Sequence, residues 1–61
     1  KNIISHRILL ARSYVMKGDL GEGMKNLDIA IKLNPNTKRI IAIDPALKKL
    51  QGLEEFQLLI N

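Results

Sequence analysis

The first stretch of the chain carries apolar residues at the spacing of an α-helix. Steps of three and four residues connect them into two neighbouring rows, Ile4, Ile8, Ala11 and Val15 in one and Ile3, Leu10 and Tyr14 in the other. This periodicity predicts an amphipathic helix over 3–16, with an apolar stripe wider than packing against one neighbour requires. Lys17 and Gly18 mark its end, because lysine suits the negative helix terminus and glycine adopts positive φ without strain.

A second helix is predicted over 20–33. Asp19 stands at the N-cap position and Glu22 follows three residues later, which is the spacing of a capping box. The apolar face has the same helical period and comprises Leu20, Met24, Leu27 and Ile31, with Gly23 and Ala30 beside them. The helix ends at Asn34, because the residue before a proline is pushed out of the α region. Two helices joined by a short glycine-containing turn form a helical hairpin.

The remaining residues predict short helices. Thr37 is expected to cap a third helix that continues to Ile43, and Asp44 to cap a fourth with Pro45 at its first position. After a break at Gly52, the last helical turns are indicated by a final apolar set, Leu53, Phe56, Leu59 and Ile60. The predicted fold class is all-α, a helical hairpin followed by short C-terminal helices.

Residues 4–37 resemble one tetratricopeptide (TPR) motif, a helix–turn–helix unit of about 34 residues. The positions that carry the resemblance follow the order of that motif: Leu10, Ala11, Tyr14, Gly18, Asp19, Glu22, Gly23, Ala30 and 34–36. Leu27 stands where the family usually has an aromatic residue. Arg7 departs from the motif, since the family often has tryptophan or another large apolar residue there. The resemblance implies a fragment of an α-α superhelix in which Gly23 lies where the two helices approach closely.

Residues 38–61 resemble the degenerate half-repeat that ends many bacterial TPR proteins. The matching residues are Asp44-Pro45-Ala46-Leu47, Leu50 and Phe56-Gln57-Leu58-Leu59. The resemblance therefore implies two parts, a TPR repeat over 1–37 and a C-terminal cap over 38–61 whose short helices fold over the open end of the stack. A cap is physically reasonable, because the last repeat of a stack has an apolar face with no successor to cover it.

Composition sets limits on stability and location. A chain of 61 residues forms one domain at most, and it has no cysteine for a disulfide and one histidine, His6. Stability must therefore come from helix packing, from further sequence or from a second copy of the chain. The helical pattern that is under way close to Lys1 favours a piece of a longer protein. No apolar run reaches the roughly 20 residues that span a bilayer. We expect a cytoplasmic location.

The net charge of +4 raises nucleic acid as a possible partner. The ten cationic residues are spread along the chain, however, and only Lys38–Arg39 and Lys48–Lys49 are adjacent. A nucleic-acid footprint requires clustered cations, so a solvated surface is the favoured interpretation.

No catalytic, cofactor or metal site is predicted. Ser5 and His6 are neighbours on a helix and point about 100° apart, so they cannot form a nucleophile–base pair. Asp44 is explained as a cap, and Glu54 and Glu55 as the acidic start of the last helix. We therefore expect a protein that is not an enzyme and that needs no cofactor.

The resemblance implies a protein–protein interaction module that binds a peptide or protein in a concave groove. The first helix of each repeat lines that groove, and the expected contact residues are Ser5, Ile8, Arg12, Val15, Asn36 and Arg39. Arg12 and Arg39 carry planar guanidinium groups that suit a carboxylate of the partner. The main alternative is self-association through the upstream face of the first helix, around Ile3, Ile4 and Leu10, and a nucleic-acid surface is a weaker one.

Overall fold

The computed structural model describes residues 3–61, and regular structure in this range is entirely helical. Lys1 and Asn2, the first positions of the predicted repeat over 1–37, lie outside the described residues. Helix α1 spans Ile3–Lys17, α2 Leu20–Leu33 and α3 Thr37–Ala42, a 3₁₀ helix spans Pro45–Leu50, and α4 spans Glu54–Ile60. The predicted all-α fold of a hairpin followed by short helices is confirmed.

The turn between α1 and α2 follows from its local sequence. Gly18 has a φ of +91°, the left-handed conformation that favours glycine. The Gly18 amide donates to the Val15 carbonyl at 3.0 Å and the Asp19 amide to the Tyr14 carbonyl at 2.9 Å. This pair of bonds is a Schellman motif, which satisfies carbonyls left open at a helix end. The Asp19 carboxylate then accepts from the Glu22 amide at 3.2 Å and caps α2 as predicted.

The two helices of the hairpin come closest at Gly23. A Cβ atom built at this position would lie 2.7 Å from Val15 Cγ2 and 3.4 Å from the Ala11 carbonyl oxygen. No side chain larger than hydrogen fits at that separation without movement of α1. The close approach expected at Gly23 is therefore present, and the helices pack almost backbone to backbone at this point.

The C-terminal segment, residues 38–61, packs against the hairpin through large buried side chains. Leu47, Leu50 and Phe56 have no exposed surface. They belong to one apolar cluster with hairpin and α3 residues, which are Ala11, Val15, Leu27, Ile31 and Ile41. The short helices thus close one side of the hairpin and complete its core.

The start of α3 differs from the prediction. Thr37 does not cap the helix: it is the first helical residue and is buried, and Asn36 occupies the cap position without a side-chain bond. The amides of Thr37, Lys38 and Arg39 instead donate to the carbonyls of the preceding turn, 34–36, at 2.9 to 3.2 Å. Because these donors are already satisfied, the helix begins without a capping side chain.

The segment after Asp44 is a 3₁₀ helix rather than an α-helix. Side chains three residues apart eclipse one another in a 3₁₀ helix. Leu47 and Leu50 have that spacing and are both fully buried, while Lys48 and Lys49 between them are exposed. The predicted cap is present, since the Asp44 carboxylate accepts from the Ala46 amide at 2.9 Å.

No helix within residues 3–61 is both long enough and apolar enough to cross a membrane.

Candidate protein-interaction surface

Two of the residues expected to line a groove belong instead to the interior. Ile8 is buried and Val15 has no exposed surface. Their row on α1 packs inward, as the contact between Val15 and the Gly23 backbone demonstrates. The expectation that Ile8 and Val15 face a peptide does not fit the structure, because a partner has no access to these side chains.

Part of the exposed surface of α1 is a neighbouring row, which we call the Arg12 row, formed by Ser5, Leu9, Arg12 and Met16. Ser5 is exposed, Leu9 is 59% exposed and Met16 is 74% exposed. The spacing of four, three and four residues places them along one line of the helix. Leu9 and Met16 were missed by the sequence reasoning, although this spacing from Ser5 and Arg12 would have identified them.

Arg12 is held in place by a residue from the C-terminal segment. Its Nε donates to Asp44 Oδ2 at 2.7 Å, and its Nη2 lies 2.7 Å from the same oxygen in an ion pair. The Asp44 side chain is only 5% exposed, whereas that of Arg12 is 42% exposed. The second carboxylate oxygen of Asp44 is engaged by the Ala46 amide. The ion pair therefore fixes the guanidinium against the C-terminal segment while part of the Arg12 side chain faces solvent.

The remaining predicted contact residues lie around α3. Asn36 and Arg39 are exposed, and Arg39 forms no ion pair within residues 3–61. Ile43 follows α3 and is 81% exposed. It immediately precedes Asp44 in the chain. Of the predicted contact residues, the structure thus brings Arg12 to Asp44.

Two lysines of α2 are paired with acids on the same helix. Lys25 Nζ lies 3.3 Å from Glu22 Oε2, and Lys32 Nζ lies 3.1 Å from Asp28 Oδ2. Exposed pairs at this spacing contribute only a few tenths of a kcal/mol, about 0.3 to 0.5. Their effect on the surface is greater, because they neutralise cations that a nucleic-acid site would need unpaired.

The Arg12 row offers contact area and hydrogen-bond donors. Methionine and arginine are enriched at protein interfaces, and large exposed apolar side chains that lie together mark interaction sites more often than scattered ones do. Comparisons with family models, with curated proteins and with solved structures give no match to this chain. The interpretation of the surface therefore depends on the residues of the chain itself.

Proposed function

We propose that this chain is the terminal part of a TPR-type helical scaffold that binds a protein or peptide partner. Support comes from a hairpin whose helices have 15 and 14 residues and whose closest approach is at Gly23. Ala30, at the second small position of the resemblance, has no exposed surface. These positions need small residues for a physical reason, which is the close packing of two helices.

The C-terminal segment supports the role of a terminal cap. Its largest apolar side chains, Leu47, Leu50 and Phe56, are buried in the cluster that also contains Val15 and Leu27. Covering one side of the hairpin in this way gives a solenoid an end that does not recruit a further repeat.

The observation that carries the proposed function is the Arg12 row. Two large apolar side chains, Leu9 and Met16, are exposed on either side of an arginine that Asp44 holds in a fixed position. Fixing the arginine in advance lowers the entropy lost when a partner is bound. The proposed activity is binding by shape and polar contact, without the making or breaking of covalent bonds.

The test is selection of peptides from a displayed random library against the folded chain. The affinities of the selected peptides are then measured for the wild type and for the double variant Leu9→Ser/Met16→Ser. We expect the double variant to lose at least about tenfold in affinity, because central apolar contacts carry most of the binding energy of an interface.

Leu58→Ser is the matched control, since Leu58 is similarly exposed, at 66%, but lies on α4. It should leave the affinity unchanged. Both variants should retain the wild-type stability within about 0.5 kcal/mol, as is usual for surface positions. Selected peptides that bind the double variant as tightly as the wild type, or a selection that yields none, would contradict the proposal.

A further inference from the structure

A cleft is present at the junction of the hairpin with the C-terminal segment. Its volume is about 190 Å³, and it is lined by Leu20, Gly21 and Met24 of α2 and by Leu53 and Glu55 of the C-terminal segment. The three large apolar residues are half-buried and pack against the core cluster. The lining is therefore mainly apolar, and none of it belongs to the Arg12 row.

The cleft lies apart from the side of the hairpin that faces away from the C-terminal segment. That other side carries the residues expected for self-association, of which Ile3 is 63% exposed and Ile4 and Leu10 are half-buried. A preceding repeat of the proposed scaffold would pack there, because each repeat of a stack contacts only its neighbours. Since Leu53 and Glu55 belong to the C-terminal segment, such packing would leave the cleft open.

Gly21 is a helix residue that the packing of the chain does not require. Glycine inside a helix is less favourable than alanine. A Cβ atom built at Gly21 would meet no neighbouring group closer than Asp19 Oδ1 at 4.0 Å, in contrast to the tight contact at Gly23. The space that a side chain would occupy is thus left open at the cleft, and a glycine lets a ligand approach the backbone closely.

The size and lining of the cleft suit one aromatic side chain. Pockets for drug-sized ligands have about 300 to 1,000 Å³, whereas an apolar cavity of about 150 Å³ takes up benzene. The cleft of about 190 Å³ is in the range of a single ring. Met24 further favours an aromatic occupant, because a thioether makes favourable contacts with aromatic rings and its flexible side chain adapts to their shape.

Glu55 places a negative charge at the cleft. It is exposed, and neither Glu55 nor Glu54 forms an ion pair within residues 3–61. Among the described residues that line the cleft, Glu55 is the charged one. A cation beside the bound ring would therefore be attracted, whereas a carboxylate in the same place would be repelled.

From these observations we propose that the cleft binds a segment of another protein that presents an aromatic side chain next to a lysine or arginine. The ring enters between Leu20, Met24 and Leu53. The cation of the neighbouring residue lies at the Glu55 carboxylate. This site shares no residue with the Arg12 row, so the inference does not depend on the function proposed for that row.

A second copy of the chain is a poorer occupant. The aromatic residues of the chain are Tyr14 and Phe56. Phe56 has no exposed surface, and Tyr14 is half-buried, with Lys17 Nζ 5.8 Å from the centre of its ring. Either ring would have to leave its own packing to enter the cleft of another copy, so the expected occupant is a different protein.

The test uses three capped tetrapeptides, Gly-Phe-Lys-Gly, Gly-Phe-Glu-Gly and Gly-Ala-Lys-Gly. Each is titrated into the isotope-labelled chain, and amide shifts are followed by NMR. We expect the first peptide to bind at millimolar concentration, with shifts at the residues that line the cleft. The second should bind about threefold more weakly, since an exposed charge pair contributes little. The third should not reach saturation, because it lacks the ring.

Variants of the lining make the result specific. Glu55→Gln should give both phenylalanine peptides the same affinity, whereas Glu54→Gln, the matched control outside the lining, should keep the preference. Gly21→Leu should lower the affinity for Gly-Phe-Lys-Gly at least about tenfold, because the new side chain takes the space of the ring. It should not lower Tm, since leucine favours a helix more than glycine does. Loss of binding without loss of stability separates a filled cleft from a damaged fold.

Three results would overturn the inference. The first is the absence of saturable shifts with Gly-Phe-Lys-Gly, or shifts confined to the Arg12 row. The second is equal affinity of the wild type for the two phenylalanine peptides, or an affinity that Gly21→Leu leaves unchanged. The third is a dimer in light scattering that Gly21→Leu dissociates, since a second copy would then occupy the cleft.

Discussion

The two helices of the hairpin run for 15 and 14 residues, whereas the helices of the C-terminal segment have six, six and seven. Isolated helices shorter than about 12 to 15 residues are marginal in water, so the short ones depend on packing. Each short helix has at least one fully buried anchor, Ile41, Leu47, Leu50 or Phe56. A long helix is positioned by a repeated apolar stripe, and a short one by one or two large buried side chains.

Loss of an anchor should have the largest effect on stability. Phe56 has no exposed surface, and Phe56→Ala should cost about 3 to 5 kcal/mol, as is typical for a buried phenylalanine. A chain of this size has only roughly 3 to 9 kcal/mol of stability in total. Urea denaturation followed by circular dichroism measures the change.

Leu58→Ala on the same helix is the control, and it should change stability by no more than about 0.5 kcal/mol. Because Phe56 shares a cluster with Val15 and Leu27, we expect hairpin and C-terminal segment to unfold in one transition. Two separate transitions in the variant would mean that the hairpin folds without its C-terminal segment.

The ion pair between Arg12 and Asp44 joins the two regions across 32 residues of sequence. Asp44→Ala should cost about 2 to 3 kcal/mol, because it removes both the cap of the 3₁₀ helix and a charge-assisted bond. Asp44→Asn keeps an oxygen that can cap and should cost less. Equal losses in the two variants would show that the charge, and not the cap, is what matters.

The close contact within the hairpin can be tested with two glycines of one helix. Gly23→Ala should destabilise the chain by about 1 to 2 kcal/mol, because the added methyl group overpacks against Val15. Gly21→Ala should stabilise it by up to about 1 kcal/mol, since the nearest atom to its Cβ is Asp19 Oδ1 at 4.0 Å and alanine favours the helix. Thermal unfolding compares the two; the same sign of change in both would contradict the packing at Gly23.

The smallest expected difference in stability is between variants at two helix-cap positions, Asp19 and Asn36. Asp19→Ala should cost about 1 kcal/mol, because it removes the acceptor for the Glu22 amide. Asn36→Ala should cost less than about 0.5 kcal/mol, because the Asn36 side chain makes no cap bond. Chemical denaturation measures the free energy of unfolding of both variants. A larger loss at Asn36 than at Asp19 would mean that α3 depends on this side chain after all.

Much of the fold could be predicted because local signals agreed with one another. As turn and cap residues, Gly18, Asp19 and Asp44 act within five residues of their own positions, through backbone conformation and short hydrogen bonds. The start of α3 was predicted incorrectly, and the reason is again a set of hydrogen bonds between residues close in sequence. Thr37 has the chemistry of a cap, but the turn before it already supplies the acceptors, so its side chain was free to be buried.

The candidate site was predicted less well. The sequence indicated that α1 has an apolar stripe and an arginine that suits a partner. It did not distinguish the inward row with Ile8 and Val15 from the outward row with Leu9 and Met16. That distinction depends on which other helices α1 contacts, and both rows are apolar enough to be buried.

The sequence by itself therefore determined where most helices begin and end, the start of α3 excepted, because helix periodicity, capping and the conformational freedom of glycine act over a few neighbouring residues. The tertiary structure alone decided which side of α1 faces solvent, that Arg12 is held by Asp44, and that Arg7 donates to Asn26 across the hairpin. These features join residues 19 and 32 positions apart. They exist only after the helices have packed.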